Sequence, residues 1–219
     1  MRRKVGILIS GRGSNMAALL EAAAEPDYPA EIALVLSNRP TAAGLDRARE
    51  AGIETAVIDH KAYPDRASFD AAVDARLREA GVEIVCLAGF MRLLTPGFVD
   101  SWRDRMINIH PSLLPLFPGL HTHERAIEAG MRLAGCTVHF VRSEMDSGPI
   151  IAQAAVPIAP DDTAETLSKR VLKAEHHLYP LALALLAGDL VRVEGERAVI
   201  DGALPVELAG MVAAPEFRD

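Results

Sequence analysis

The feature that most constrains this chain is a rhythm. Through the first half, short apolar runs without polar alternation take turns with amphipathic stretches. Val5–Ile9, Ile32–Leu36, Thr55–Ile58, Ile84–Ala88 and Met106–Ile109 read as strands. An unalternating run suits a strand buried on both faces, as in a parallel sheet covered by helices. Between the runs, Ser14 to Glu25 carries Met16, Leu19, Leu20 and Ala23 at helical spacing. A short helix passes through Arg47 and Glu50 and stops at Gly52. Ser68 is placed to cap a helix whose Phe69, Val73 and Leu77 share a face and which Gly81 ends. Pro96 opens a short helix near Trp102. This β-α-β-α order predicts an α/β fold with a doubly wound, mostly parallel, Rossmann-like sheet.

After His110 the rhythm breaks. Pro111 to His123 holds three prolines and a glycine and reads as an irregular loop. Cys136–Val141 and Ile150–Val156 read as strands around the loop Arg142–Pro149. Asp162 or Thr163 caps a long helix with Leu167, Val171 and Leu178 on one face, which Pro180 is expected to kink or restart. Val191–Val193 and Ala198–Ile200 read as a terminal hairpin, and Met211 to Asp219 as loose. With no repeat or linker, the 219 residues read as one domain, 1–219.

Charge and cysteine usage narrow the partners. There are 23 Lys+Arg against 30 Asp+Glu, a formal charge of −7. That balance argues against a nucleic-acid binder, whose footprint is basic, but leaves room for a small anionic substrate. Cys86 and Cys136 form no C-x-x-C pair, so they read as core thiols of a reducing compartment. Val5–Ile9 is too short for a signal peptide and Leu181 to Leu186 too short for a membrane span. A cytoplasmic protein with no membrane partner is expected.

Three segments carry chemistry. The first is Ile9-Ser10-Gly11-Arg12-Gly13-Ser14-Asn15, between strand and helix. Glycines let the backbone approach a ligand, and the helix start aims free N–H groups at an anion. Met16 stands where a dinucleotide fingerprint has its third glycine, and no Gly-Lys-Ser/Thr follows, so a monophosphate fits best. A plain glycine turn with a Ser/Asn cap is the alternative. The second segment is Met106 to Pro115. Asn108 and His110, two apart at the end of a strand, point to the same side. An amide and an imidazole facing one point can donate to a developing oxyanion, and a histidine can move a proton. The third is Arg142 to Pro149, a turn-rich loop offering Asp146, whose carboxylate would favour the imidazolium of His110 and fix its tautomer. An ordinary Asp turn is the competing reading. His121, His123, His110 and Asp146 would be enough ligands for a metal, but they lack a defined scaffold, and no metal is expected. His139 alternates with Val138 and Phe140 on a strand face that lines the same cleft or the core. His60 reads as a surface residue and His176 and His177 as helix surface and packing, whereas Glu175 is placed to reach the cleft.

Taken together, I-S-G-R-G-S-N, L-A-G-F-M-R, I-N-I-H-P-S-L-L-P, P-G-L-H-T-H, V-H-F-V and D-S-G-P-I resemble, in order and spacing, the phosphoribosylglycinamide formyltransferase family, folate-dependent enzymes of purine synthesis. The resemblance covers nearly the whole chain. It implies formyl transfer from 10-formyltetrahydrofolate to the primary amine of glycinamide ribonucleotide, with no metal. It implies a phosphate-binding N-terminal half and a folate-binding C-terminal half, in a monomer or homodimer. By match of position, Asn108, His110 and Asp146 would be catalytic, and Gly13, Ser14 and Asn15 would hold the phosphate. Leu172, Lys173, Ala174 and Glu175 would lie at the substrate's amine end. Met91, Arg92, Leu93, Leu94 and Asn108 would line the pterin pocket, with Arg66 near the acidic tail. Arg142, Ser143, Glu144, Met145 and Asp146 would form the folate-side loop. Leu116 departs from relatives that carry a basic residue there.

Three other readings share parts of this pattern. A hydrolase would deliver water to the same formyl carbon and release formate. A nicotinamide oxidoreductase would use the same sheet, but Met16 and the lack of an acidic residue soon after Ile32–Leu36 oppose it. A non-catalytic phosphate-sugar binding module leaves Asn108, His110 and Asp146 without a purpose.

Overall fold

The computed structural model describes residues 2–201. Its core is a seven-stranded sheet of β1 (Arg3–Ile9), β2 (Ala30–Ser37), β3 (Thr55–Val57), β4 (Ile84–Leu87), β5 (Met106–His110), β6 (Leu133–Phe140) and β7 (Ile150–Pro157). The spatial order is β3-β2-β1-β4-β5-β6-β7. The first five strands run parallel, whereas β6 and β7 pair antiparallel to β5 and to each other. The chain winds outward from β1 to β3, returns, and resumes with β4 on the far side of β1. The crevice beyond the carboxyl ends of β1 and β4 is therefore the topological switch point, where open α/β sheets bind ligands.

Helices cover both faces. On one side, α1 (Ser14–Ala24), α2 (Gly44–Glu50) and α6 (Ala164–Ala187) bury Met16, Leu19, Leu45, Val171 and Leu183 against Val5, Ile7, Val35 and Ile107. On the other, α3 (Arg66–Glu79) and α4 (Pro96–Ser101) bury Phe69, Val73, Leu77 and Phe98 against Leu8, Leu34 and Val85. Burial on both faces is what the unalternating apolar runs required. The hairpin of β8 (Val191–Glu194) and β9 (Arg197–Ile200) forms a separate two-stranded sheet. The tail from Met211 to Asp219 lies outside the described residues.

Several local expectations are corrected. The cap of α3 is Asp65, whose carboxylate accepts from the Ser68 amide at 2.8 Å. Ser68 sits three residues inside, since the carboxylate is the stronger acceptor for those free amides. The loop after β5 ends earlier than Pro111–His123 indicates, because α5 (Thr122–Glu128) begins within it. Pro180 does not restart α6, which is helical from Ala164 to Ala187. Tyr179, Ala182 and Leu183 are fully buried around it, and the Pro180 carbonyl accepts from the Tyr28 hydroxyl at 2.7 Å. Core packing on either side offsets the missing donor. His60 is not a surface residue: its ring is half-buried, edge-on to Phe69.

Candidate active site

Asn108 and His110 leave β5 on the same side, as the period of a strand requires. His110 is buried, with Nε2 3.0 Å from the Phe117 carbonyl and Nδ1 3.5 Å from Oδ2 of Asp146. Both ring nitrogens thus face acceptors. The neutral ring can donate at one of them and the imidazolium at both. Asp146 takes a left-handed backbone, φ 54°, which aims its carboxylate back under the loop. There Oδ2 also accepts from the Gly119 amide at 2.8 Å. The two side chains, 36 positions apart in sequence, therefore meet.

The loop that supplies the Phe117 carbonyl is held by its neighbours in the sheet. Thr137 Oγ1 donates to the Ser112 carbonyl at 2.7 Å and accepts from the Leu114 amide at 3.0 Å. Gln153 Nε2 donates to the Leu114 carbonyl at 2.9 Å. Irregular backbone this close to the core is tolerated because its polar groups are satisfied.

One residue of the site was named in the sequence only as lying on a favourable face. His139 is the cross-strand neighbour of Asn108 in the β5–β6 ladder. Its Nδ1 lies 3.0 Å from the Phe140 carbonyl and so carries the hydrogen, leaving Nε2 to accept from Asn108 Nδ2 at 3.2 Å. Burial holds the His139 pKa below the ordinary histidine value, which keeps that acceptor neutral. The bond fixes the Asn108 amide, and its second N–H has no partner among the described residues. Asp146 Oδ1 lies 3.8 Å from the same Nε2, so the carboxylate spans both rings.

At the head of β1, Gly13 adopts a left-handed φ of 69° and caps α1 without a side-chain bond, which leaves the first-turn amides of Ser14 and Asn15 uncapped. Gly44, a position with no motif to mark it, supports this loop. Its amide donates to the Gly11 carbonyl at 3.0 Å, and a Cβ there would lie 2.6 Å from Ile9 Cδ1. Met16 packs beneath Gly13, fully buried. Asn15 Nδ2 donates to Glu175 Oε2 at 2.6 Å, tying the loop to α6. Burial raises the Glu175 pKa above the usual carboxylate value, and the bond from Asn15 opposes it. Of Leu172 to Glu175, only Glu175 reaches the loop. Lys173 is exposed and Ala174 packs on the main core.

The remaining candidates divide. Met91 and Leu93 are exposed and Leu94 packs inward. The Arg92 guanidinium lies over the Phe69 ring at 5.8 Å, and Arg66 is exposed at the start of α3 with no ion-pair partner among the described residues. Arg142 turns away from the cleft. Its guanidinium is paired with Asp104 at 2.7 Å and Glu196 at 3.8 Å, so it anchors the root of the loop. Ser143, Glu144 and Met145 are exposed on that loop. His121 pairs with Glu124 and His123 is half-buried, its pKa lowered first by burial. His177 turns its Nδ1 to the Lys173 carbonyl at 2.7 Å. No group of three His, Cys, Asp or Glu side chains among the described residues is placed to hold a metal ion.

Comparison with known proteins places this geometry in company. Residues 3–183 match the model of the formyl transferase family. The phosphoribosylglycinamide formyltransferase of Haemophilus influenzae is 42% identical over 93% of this chain and 96% of its own length. The trifunctional purine biosynthetic protein adenosine-3 of Bos taurus is 52% identical over 88% of this chain, which spans 19% of that longer protein. Among solved structures, glycinamide ribonucleotide transformylase 1 from Symbiobacterium toebii superposes with a TM-score of 0.89 at 48% identity, covering 91% of this chain and 94% of the other. Phosphoribosylglycinamide formyltransferase from Brucella melitensis gives 0.83 at 56%, over 85% and 96%.

Proposed function

The chain belongs to the formyl transferase family, among the phosphoribosylglycinamide formyltransferases, and from that premise we propose how its own residues carry out the transfer. The reaction moves a formyl group to the primary amine of glycinamide ribonucleotide in purine biosynthesis. The donor is 10-formyltetrahydrofolate. The observation that carries the assignment of residues is the 3.5 Å approach of His110 and Asp146 beside an Asn108 amide held by His139.

The substrate amine attacks the formyl carbon and the carbonyl oxygen gathers charge. Asn108 donates an N–H to that oxygen, and protonated His110, with Asp146 at Nδ1 as counter-charge, donates beside it from Nε2, which exchanges the Phe117 carbonyl for that oxygen. The bond from carbon to the folate nitrogen then breaks. His110 gives its proton to that nitrogen and then takes up the proton that the amine loses. Bound formyl folate supplies the one-carbon unit and the leaving nitrogen. The residues present suit it: exposed Met91, Leu93 and Met145 offer apolar surface to a flat ring, and Arg66, with no ion-pair partner among the described residues, is a cation for an acidic tail. Ser143 and Glu144, exposed beside Met145 on its loop, are assigned to the folate side. At the other end Gly13, Ser14 and Asn15 hold the phosphate at the uncapped start of α1, with Glu175 and the Leu172–Ala174 turn of α6 beside them. The phosphate end lies in the N-terminal half, while the folate side draws on both halves. A monomer or a homodimer is proposed. The two buried free thiols suit a cytoplasmic enzyme.

Replacing His110 by Ala removes one oxyanion donor and the proton carrier. It is expected to lower kcat by about 10²–10³-fold. Formyl transfer measured with both substrates checks this, and near-normal turnover rejects the role. Formate release by the native chain without the amine acceptor would favour the hydrolase instead.

A further inference from the structure

Three loops meet where β1, β2 and β4 end, and one hydroxyl joins them. Ser10 follows β1 directly. Its amide donates to the Gly89 carbonyl at 3.2 Å, and its Oγ accepts from the Met91 amide at 2.8 Å. Its own hydroxyl hydrogen goes to Oδ1 of Asn38, just beyond β2, at 2.6 Å. Ser10 is 4% exposed and Asn38 0%. Water therefore does not compete for the Ser10–Asn38 bond, and an orphaned partner there would be costly. Behind Asn38, Nδ1 of His60 lies 2.9 Å from its carbonyl and 3.3 Å from Nδ2. The His60 ring meets Phe69 edge-on, and the Arg92 guanidinium lies over Phe69. Met91 and Arg92 are thus held separately, one by its amide and the other by its side chain.

We infer that Ser10 is a positioning residue that couples occupancy of the Gly13–Asn15 loop to occupancy of the Met91–Leu94 segment. The inference rests on the reading above, in which the first holds phosphate and the second the folate ring. A phosphate loop that tightens on an anion carries Ser10 with it. The Met91 amide follows, because Ser10 Oγ is its partner. Coupling of this kind is reciprocal: each ligand strengthens the other by the same factor. Packing alone gives no reason for a hydroxyl here. An apolar side chain of the same size would strand both the Met91 N–H and Asn38 Oδ1.

The test measures the dissociation constant of tetrahydrofolate by calorimetry, with and without saturating glycinamide ribonucleotide. It compares the native chain with Ser10→Ala and Ser10→Thr, recording melting temperatures in parallel. The native chain is expected to bind the folate more tightly when the ribonucleotide is present. Ser10→Ala is expected to shrink that factor about fivefold, the worth of one net hydrogen bond. Ser10→Thr, which keeps the hydroxyl, retains it. If Ser10→Ala does not fold, Ser10→Cys, a weak acceptor of similar size, gives the same readout. An unchanged factor in a folded Ala or Cys variant overturns the coupling, even if the melting temperature falls. A native chain that binds both ligands independently overturns it too. A folded native chain that binds neither overturns the functional reading and the coupling with it.

Discussion

Asp146 sits in a backbone region that few residues other than glycine enter, and it pairs with the His110 imidazole from there. Asp tolerates the left-handed region better than most, and strain of this kind persists where surrounding bonds hold it. Here the Gly119 amide does so. His139 works at the same scale through Asn108. Replacing it by Ala leaves the Asn108 amide free to turn, and kcat is expected to fall about fivefold to tenfold with KM nearly unchanged, in proportion to one lost orienting bond. His139→Gln, whose amide oxygen can accept, should recover part of the loss. The same residue gives a pH signature. Its folded pKa is depressed, so its stabilising contribution is present above the ordinary histidine value of about 6.5 and is lost as pH falls through the folded value. Thermal melts across that range should show a shallower acid decline for His139→Gln than for the native chain.

Among the elements, the turn from β6 to β7 leaves the least room. A Cβ on Gly148 would stand 1.8 Å from the Phe140 carbonyl oxygen, which no relaxation of a side chain can relieve. Gly148→Ala is expected to destabilise the fold by about 3 kcal/mol or more and to abolish activity by displacing Asp146. Denaturant unfolding checks the first and the transfer assay the second. Elements also show where local rules were outvoted. Ser68 is a good cap by type, but Asp65 three residues earlier supplies a charged acceptor. Pro180 breaks helices in isolation. Within α6 its neighbours are buried, so tertiary packing decides.

For the whole molecule, burial has a chemical consequence. Cys86 and Cys136 are both pushed up to about 12 by loss of hydration, far from the reactive thiolate range. The native protein should leave both unmodified by a thiol reagent at neutral pH, and unfolding should expose two per chain. Rapid reaction of either thiol before unfolding would contradict that core. The parallel part of the fold was legible because each buried strand declares itself as an unbroken apolar run. Asn108 and His110 were legible because a strand has period two. His139, Thr137, Gln153 and Gly44 were not, since each acts on a partner remote in sequence. Arg142 carried a family position but not its rotamer, and Asp104 and Glu196 decide where it points. The order β1-β4-β5 has a further result. Neighbouring strands lie about 4.8 Å apart, so the ends of β1 and β5, from which the Gly13–Asn15 loop and His110 extend, lie about 10 Å apart across the sheet. The sheet is therefore a ruler. On the proposed function, an acceptor is expected to span two strand widths, and a free amine without its phosphorylated sugar to arrive at His110 untethered.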